Sequence, residues 1–196
     1  MKTIILDRDG VINQDSDAFI KSIEEWQPIP GALEAIARLY RNGYRVVVAT
    51  NQSGVARGLL SIDTLNAIHR HMLQEVRNKG GMIEAVFFCP HGPDDGCTCR
   101  KPRTGMLREI SERMKIEING VPVVGDSMRD LQAARDSGAI PVLVKTGKGK
   151  ITARQLSRAN SPVSAADVIQ FADLGAFADA LLADEMSNII QEHLDA

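Results

Sequence analysis

Aromatic residues make up only 4% of this 196-residue chain, and there is a single tryptophan. A surface that stacks bases needs several exposed rings, so the composition argues against a single-stranded nucleic-acid binder. Excess charge of one sign is also missing. Twenty-three Lys and Arg stand against 25 Asp and Glu, for a formal net charge of −2, so no bulk attraction to DNA, RNA or anionic lipid follows. No apolar run approaches the roughly 20 residues of a membrane span. The first one, Ile4-Ile5-Leu6, is cut off by Asp7, well short of the roughly 7–15 residues of a signal-peptide core. These absences lead us to expect a cytoplasmic protein with no membrane and no nucleic-acid partner. There are only three cysteines, and an odd count in such a chain argues against a disulfide framework.

What is present is an alternation. Short β-branched runs at residues 3–6, 45–49, 85–88, 121–124 and 141–144 read as strands buried on both faces. Amphipathic segments at 30–41, 61–79, 104–115 and 128–137 read as helices between them. Ser61 is a natural N-cap, and the pairs Asn42-Gly43 and Gly80-Gly81 are natural stops. Strand–helix repetition predicts an α/β fold: a three-layer, doubly wound parallel sheet with helices on both faces. Beyond it, 145–150 reads as a loop, 153–162 as polar and irregular, 167–171 as an edge strand and 174–182 as a last helix. The expectation is one domain over 1–185 and a fraying tail over 186–196, with no insertion long enough for a large cap domain.

Open α/β sheets bind ligands at the carboxyl ends of their strands. There the first strand delivers Asp7-Arg8-Asp9-Gly10 and the second Thr50-Asn51-Gln52-Ser53. The fourth delivers Gly125-Asp126-Ser127, with Asp130 one turn on. Two like charges 4 Å apart repel by about 4 kcal/mol at an effective dielectric near 20, so such a cluster calls for a cation. Hard carboxylate oxygens suit Mg²⁺. Asp-Gly after a strand is ordinarily a turn, Thr-Asn a helix cap and Lys101 a solvated lysine. Their joint occurrence at successive strand ends is what singles them out.

A second cluster is soft. Cys89, His91, Cys97 and Cys99 fall within eleven residues and match the closed four-ligand set of a structural Zn²⁺. Such a zinc would pin Arg100 and Lys101, which follow directly, over the sheet edge. His69 and His71 lie two apart on a predicted helix and so face different ways. They read as packing or surface residues, and His193 belongs to the tail.

The series Asp7-Arg-Asp-Gly, Thr50, Lys101 and Gly-Asp126 with Asp130 resembles the haloacid dehalogenase-like superfamily, specifically its phosphatases, over about residues 2–148. The resemblance implies Asp7 as a covalent nucleophile and Asp9 as general acid and base. It also implies Thr50 and Lys101 holding the transferring phosphoryl group. Mg²⁺ would be held by Asp7, Asp9 (through its backbone carbonyl) and Asp126, with Asp130 just behind. The longer patterns Asp-Arg-Asp-Gly-Val-Ile-Asn, Thr-Asn-Gln-Ser-Gly and Cys-Pro-His…Cys-x-Cys-Arg-Lys-Pro are similar to one branch of it. That branch holds the heptose 1,7-bisphosphate 7-phosphatases and the histidinol-phosphate phosphatases. In the heptose branch the resemblance implies that Asp15, Ser16, Asp17, Ala18, Asn51, Gln52 and Ser53 line the pocket. Arg100, helped by Arg57, would meet the second phosphate or the sugar. The expected partner is a small phosphorylated sugar on the route to cell-surface lipopolysaccharide, and the expected state a monomer. The alternatives are a histidinol-phosphate phosphatase, a nucleic-acid 3′-phosphatase using the same motifs, and a non-catalytic module built on the zinc loop.

Overall fold

The computed structural model describes residues 2–183; the expected tail 186–196 and His193 lie outside the described residues. The strands are β1 (Thr3–Leu6), β2 (Arg45–Asn51), β3 (Ala85–Cys89), β4 (Pro122–Gly125), β5 (Ile140–Val144) and β6 (Ile169–Phe171). The helices are α1 (Ala32–Arg41), α2 (Ile62–Asn78), α3 (Gly105–Met114), α4 (Met128–Asp136), α5 (Gly149–Leu156) and α6 (Leu174–Leu182). All strand pairings are parallel, in the order β3-β2-β1-β4-β5-β6. The order reverses direction at β1, so the crevice beyond the carboxyl ends of β1 and β4 is the topological switch point.

Successive side chains on a strand leave opposite faces, and here both faces are covered. Ile4, Leu6, Val46, Val48, Val142 and Val144 pack under α1, α2 and α6, around Ile36, Ile68 and Phe177. Ile5, Val47, Ala49 and Val123 pack under α3 and α4. Leu143 joins Leu131 and Leu156 beneath α5. This is the predicted three-layer sandwich. Ser61 does cap α2, its hydroxyl accepting from Thr64 N at 3.0 Å. Among the described residues no inserted domain rises over the sheet edge.

One expectation is overturned. The stretch expected as a loop and then irregular chain holds α5 (Gly149–Leu156). Its sequence is polar, but Gly149, Thr152 and Leu156 share one side and are buried. Two of those three are not hydrophobic, so an apolar count missed the pattern. The edge strand is three residues long, preceded by a 3₁₀ turn at Ala165–Asp167.

The last helix belongs to the main core: Phe177 is fully buried and meets Phe171 edge-on at 5.6 Å. Phe177→Ala is therefore expected to lower unfolding free energy by about 3–5 kcal/mol, in a single urea transition. A separate early transition for the C-terminal helix would show it to be a unit of its own.

Candidate active site

The chain after β1 stays in register for one more residue: Asp7 N donates to Val124 O at 2.8 Å. This directs the Asp7 carboxylate into the crevice between β1 and β4. β4 ends in Gly125 and leads into Asp126. The first turn of α4 returns Asp130, whose Oδ2 accepts from Ser127 N and Oγ at 3.0 and 2.5 Å. Carboxylate oxygens of Asp7, Asp126 and Asp130 lie within 4.8 Å of one another. Close approach needs bare backbone. A Cβ on Gly10 or Gly147, both at positive φ, would stand 2.0 or 2.1 Å from Asp126 Oδ2.

A single buried cation faces these three acids. Lys101 Nζ is 3.1 Å from Asp7 and 2.5 Å from Asp130, and it donates to Ala49 O at 2.7 Å. Burial drives the Asp7 carboxyl up to about 7; Lys101 opposes the rise, while Asp130 and Asp9 add to it. Burial, then the Asp130 and Asp7 charges, push Asp126 up to about 8. Asp130 is also buried, but Lys101 outweighs that and holds it below the usual range. The trio thus carries more negative charge than Lys101 balances. Converging hard oxygens with excess charge suit a divalent magnesium-like ion. In this set Asp130 is tied to Lys101 and Ser127.

The Asp9 side chain lines the same cleft but is not one of that trio. It accepts from Asn13 Nδ2 (2.8 Å), Gln52 Nε2 (2.9 Å), and Arg8 Nε (3.0 Å) and Nη2 (2.9 Å). Burial would raise its pKa, but the Arg8 charge and these donors outweigh burial and hold it low. Any metal contact from this residue would come from its backbone carbonyl. Arg8 is fully buried. It was not singled out in the sequence, although an arginine between two acids at a strand end was visible there.

Two residues expected to line the pocket also make hydrogen bonds within the protein. Asn51 clamps the backbone of Lys101, donating to its O at 3.0 Å and accepting from its N at 3.1 Å. Gln52 donates to Asp9 and to Thr50 Oγ1 (2.9 Å) and accepts from Arg8 Nη2 (3.1 Å). Both line the cleft, as expected, and both also hold catalytic candidates in place. Asp7, Thr50, Lys101, Ser53, Asp15, Ser16 and Asp17 do line one cleft of about 270 Å³, with Arg57 and Arg100 on it. Ala18 does not line it; the neighbouring Phe19 and Ile20 do.

Lys148 and Arg129 also line the cleft and were missed. Lys148 Nζ pairs with Asp15 (3.0 Å) and Asp17 (3.1 Å), and its backbone N donates to Asp126 Oδ2 at 2.7 Å. Thr146 Oγ1 donates to Gly10 O at 2.6 Å. The signal was the rule applied to the other strands: β5 too has a carboxyl end, and it delivers Thr146-Gly147-Lys148. Arg100 is pushed below its ordinary value by burial and then by the neighbouring Arg129 charge.

The four soft ligands also converge. Cys89 Sγ lies 3.7 Å from Cys97 Sγ, 3.3 Å from Cys99 Sγ and 3.5 Å from His91 Nδ1; Cys99 Sγ to His91 Nδ1 is 3.3 Å. A tetrahedron with Zn–S near 2.3 Å and Zn–N near 2.0–2.1 Å has S–S edges of about 3.8 Å and S–N edges of about 3.5 Å. The observed set fits that ion. Without it, burial and then the Cys99 contact push the Cys89 thiol up to about 12. The loop brings Pro93 and Arg100 to the cleft, and Arg100 Nη1 returns to His91 O at 3.2 Å.

Known proteins bear on this geometry. Residues 4–62 match the family model described as haloacid dehalogenase-like hydrolase, and residues 98–170 one described as HAD-hydrolase-like. The chain is 59% identical to the D-glycero-beta-D-manno-heptose-1,7-bisphosphate 7-phosphatase of Bordetella bronchiseptica, over 79% of this chain and 87% of that protein. It is 52% identical to the protein of the same name from Pseudomonas aeruginosa, over 91% and 97%. The crystal structure of the B. bronchiseptica D,D-heptose 1,7-bisphosphate phosphatase, complexed with magnesium and phosphate, superposes with a TM-score of 0.87. That match covers 94% of this chain and 99% of that one, at 53% identity. The chain belongs to the haloacid dehalogenase-like hydrolases, in the group of the D-glycero-beta-D-manno-heptose-1,7-bisphosphate 7-phosphatases.

Proposed function

We propose that this chain is a magnesium-dependent phosphatase that removes the 7-phosphate of D-glycero-D-manno-heptose 1,7-bisphosphate through an aspartyl-phosphate on Asp7. It would serve in the cytoplasm, as a monomer, in the supply of activated heptose for lipopolysaccharide. The observation that carries the reading is the Asp7 carboxylate in the switch-point crevice, 3.1 Å from buried Lys101 and grouped with Asp126 and Asp130. The names of relatives more than 50% identical supply the substrate.

When bound, magnesium supplies positive charge that keeps Asp7 and Asp126 ionised and offsets the charge of the substrate phosphate. An oxygen of Asp7 attacks phosphorus, and the bond from phosphorus to the sugar oxygen breaks. Asp9, which must first take up a proton against the pull of Arg8, passes it to that oxygen. Lys101 and Thr50 Oγ1 neutralise charge on the transferring oxygens. Asp9, as a carboxylate, then takes a proton from the water that cleaves the acyl phosphate, and inorganic phosphate leaves. The second phosphate falls to the guanidiniums of Arg57 and Arg100, which can grip it with paired hydrogen bonds. A cleft at the small end of ligand sites suits one sugar bisphosphate better than a nucleic-acid strand. The zinc is structural, since three thiolates and one imidazole leave no open position.

Phosphate release should be compared for the heptose bisphosphate and histidinol phosphate at equal concentration. A kcat/KM ratio of a hundredfold or more for the heptose, about 2.7 kcal/mol of transition-state discrimination, is expected. The reverse preference would move the substrate while keeping the chemistry. Asp7→Asn should abolish turnover of both; retained activity would remove the covalent step.

Magnesium should raise the melting temperature of the parent chain. Asp7 and Asp126 have folded pKa values of about 7 and 8 against an ordinary 3.8. In metal-free protein their contribution to stability is full below pH 3.8 and is lost as pH rises through 7 and 8. Asp126→Asn should flatten that loss without lowering the melting temperature at pH 8, and should abolish the magnesium response. A magnesium shift that survives Asp126→Asn would place the ion elsewhere.

Purified protein should carry one zinc per chain by elemental analysis, and Cys99→Ser should remove both the zinc and the activity. Zinc-free protein with full activity would end the structural-metal reading.

A further inference from the structure

Arg8 is the least expected residue of the active site: a guanidinium with no solvent exposure, between the two motif acids. Its Nε and Nη2 hold the Asp9 carboxylate, and Nη2 also reaches Gln52 Oε1. That leaves Nη1, which points away from the cleft towards α2 and meets His69 Nε2 at 3.2 Å. Arginine has donors and no acceptor, so His69 Nε2 is the acceptor and the ring is neutral with its proton on Nδ1. His69 is itself buried and lies against the Phe88 ring at 5.7 Å. A packing histidine at this position needs no polar partner. This one gives its lone pair to the only buried arginine among the described residues, and that arginine's main partner is the carboxylate that must handle protons.

We infer that His69 is a positioning residue for the acid–base step, acting through Arg8 to fix where the Asp9 carboxylate is held. The chain of contacts is short and directional. α2 fixes His69, His69 fixes the far end of the Arg8 fork, and the near edge of that fork fixes Asp9. Asn13 and Gln52 hold the carboxylate from its other sides. Without the lone pair on His69, one arm of the guanidinium is unpartnered inside the protein and the fork can turn. Asp9 turns with it, and proton transfer is sensitive to such displacement because donor and acceptor must meet within hydrogen-bond reach. Asp7, Lys101 and the metal-binding acids share no hydrogen bond with His69, so binding of the phosphate should be spared. This inference rests on the phosphatase reading above.

The test uses leaving groups of different basicity. A sugar alkoxide needs a proton to depart, whereas p-nitrophenolate leaves without one. In the full chain with saturating Mg²⁺, His69→Leu is expected to lower kcat/KM for the heptose bisphosphate by about tenfold or more, through kcat with KM within about twofold. For p-nitrophenyl phosphate the loss in kcat/KM should stay under about threefold. His69→Gln, whose amide oxygen can accept from Arg8 near the Nε2 position, should restore the sugar reaction to within about threefold of the parent. His69→Asn keeps a polar side chain but falls short of Arg8, and should behave as His69→Leu if that variant fails to fold. Equal losses on the two substrates, or no recovery with His69→Gln, would overturn the inference. A parent chain inactive on the heptose bisphosphate would instead overturn the substrate reading. The same comparison then runs on whichever alkyl phosphate the parent does cleave.

Discussion

The structure is organised around a repulsion. Three carboxylates from two strand ends and a helix turn meet at one point, and one lysine pairs with two of them, Asp7 and Asp130. A cluster of this kind has no stability of its own: burial and mutual repulsion lift Asp7 and Asp126 towards neutrality. It persists because the surrounding fold is cooperative and because the site is built to be completed by cations. Lys101 is the permanent one. A divalent ion would complete the balance. The electrostatic strain of the acid cluster and its affinity for a divalent ion are the same free energy seen from two sides.

That constraint explains where polar side chains are spent. Lys101 must be held exactly where the acids converge, yet it comes from a loop between β3 and α3. Asn51 ties its backbone on both sides and Ala49 O receives its ammonium. The Cys89, His91, Cys97 and Cys99 cluster gathers the same segment from the other end, two residues before Lys101. Asp126 is steadied by Lys148 N and by the close backbone of Gly10 and Gly147. Groups that read in sequence as substrate ligands are therefore partly scaffold, and the arginines and the 15–20 segment line the same cleft beside them.

The layers of the fold were legible because both faces of each strand are apolar and each helix shows a hydrophobic stripe. α5 was illegible because Gly149 and Thr152 supply two of its three buried positions. Asp7, Thr50, Lys101 and Asp126 were legible because each stands at a strand end or follows a recognisable ligand set. Arg8, Gln52 and His69 were not. Nothing in a list of residues tells which way an arginine between two aspartates will turn, or that a helix 61 residues later presents an acceptor to it. Spacing reveals which groups reach the sheet edge, while hydrogen-bond partners across elements reveal what each group is free to do.

The absence of a cap domain sharpens this division of labour. Among the described residues no second domain closes over the cleft, and its enclosure comes from loops. The cleft is walled on one side by the zinc loop, which contributes Pro93 and Arg100, and on the other by the 15–20 segment. The two walls are fixed by different means. Three cysteines and a histidine, spaced to suit a tetrahedral ion, gather one of them. The other is drawn to the metal-binding end of the sheet by Lys148, whose side chain pairs with Asp15 and Asp17 while its backbone holds Asp126. Those ion pairs are part-exposed, so each contributes little alone. Their weight lies in linkage: a residue that touches both the pocket wall and a metal-binding acid makes the shape of the cleft depend on the state of the charge cluster beneath it.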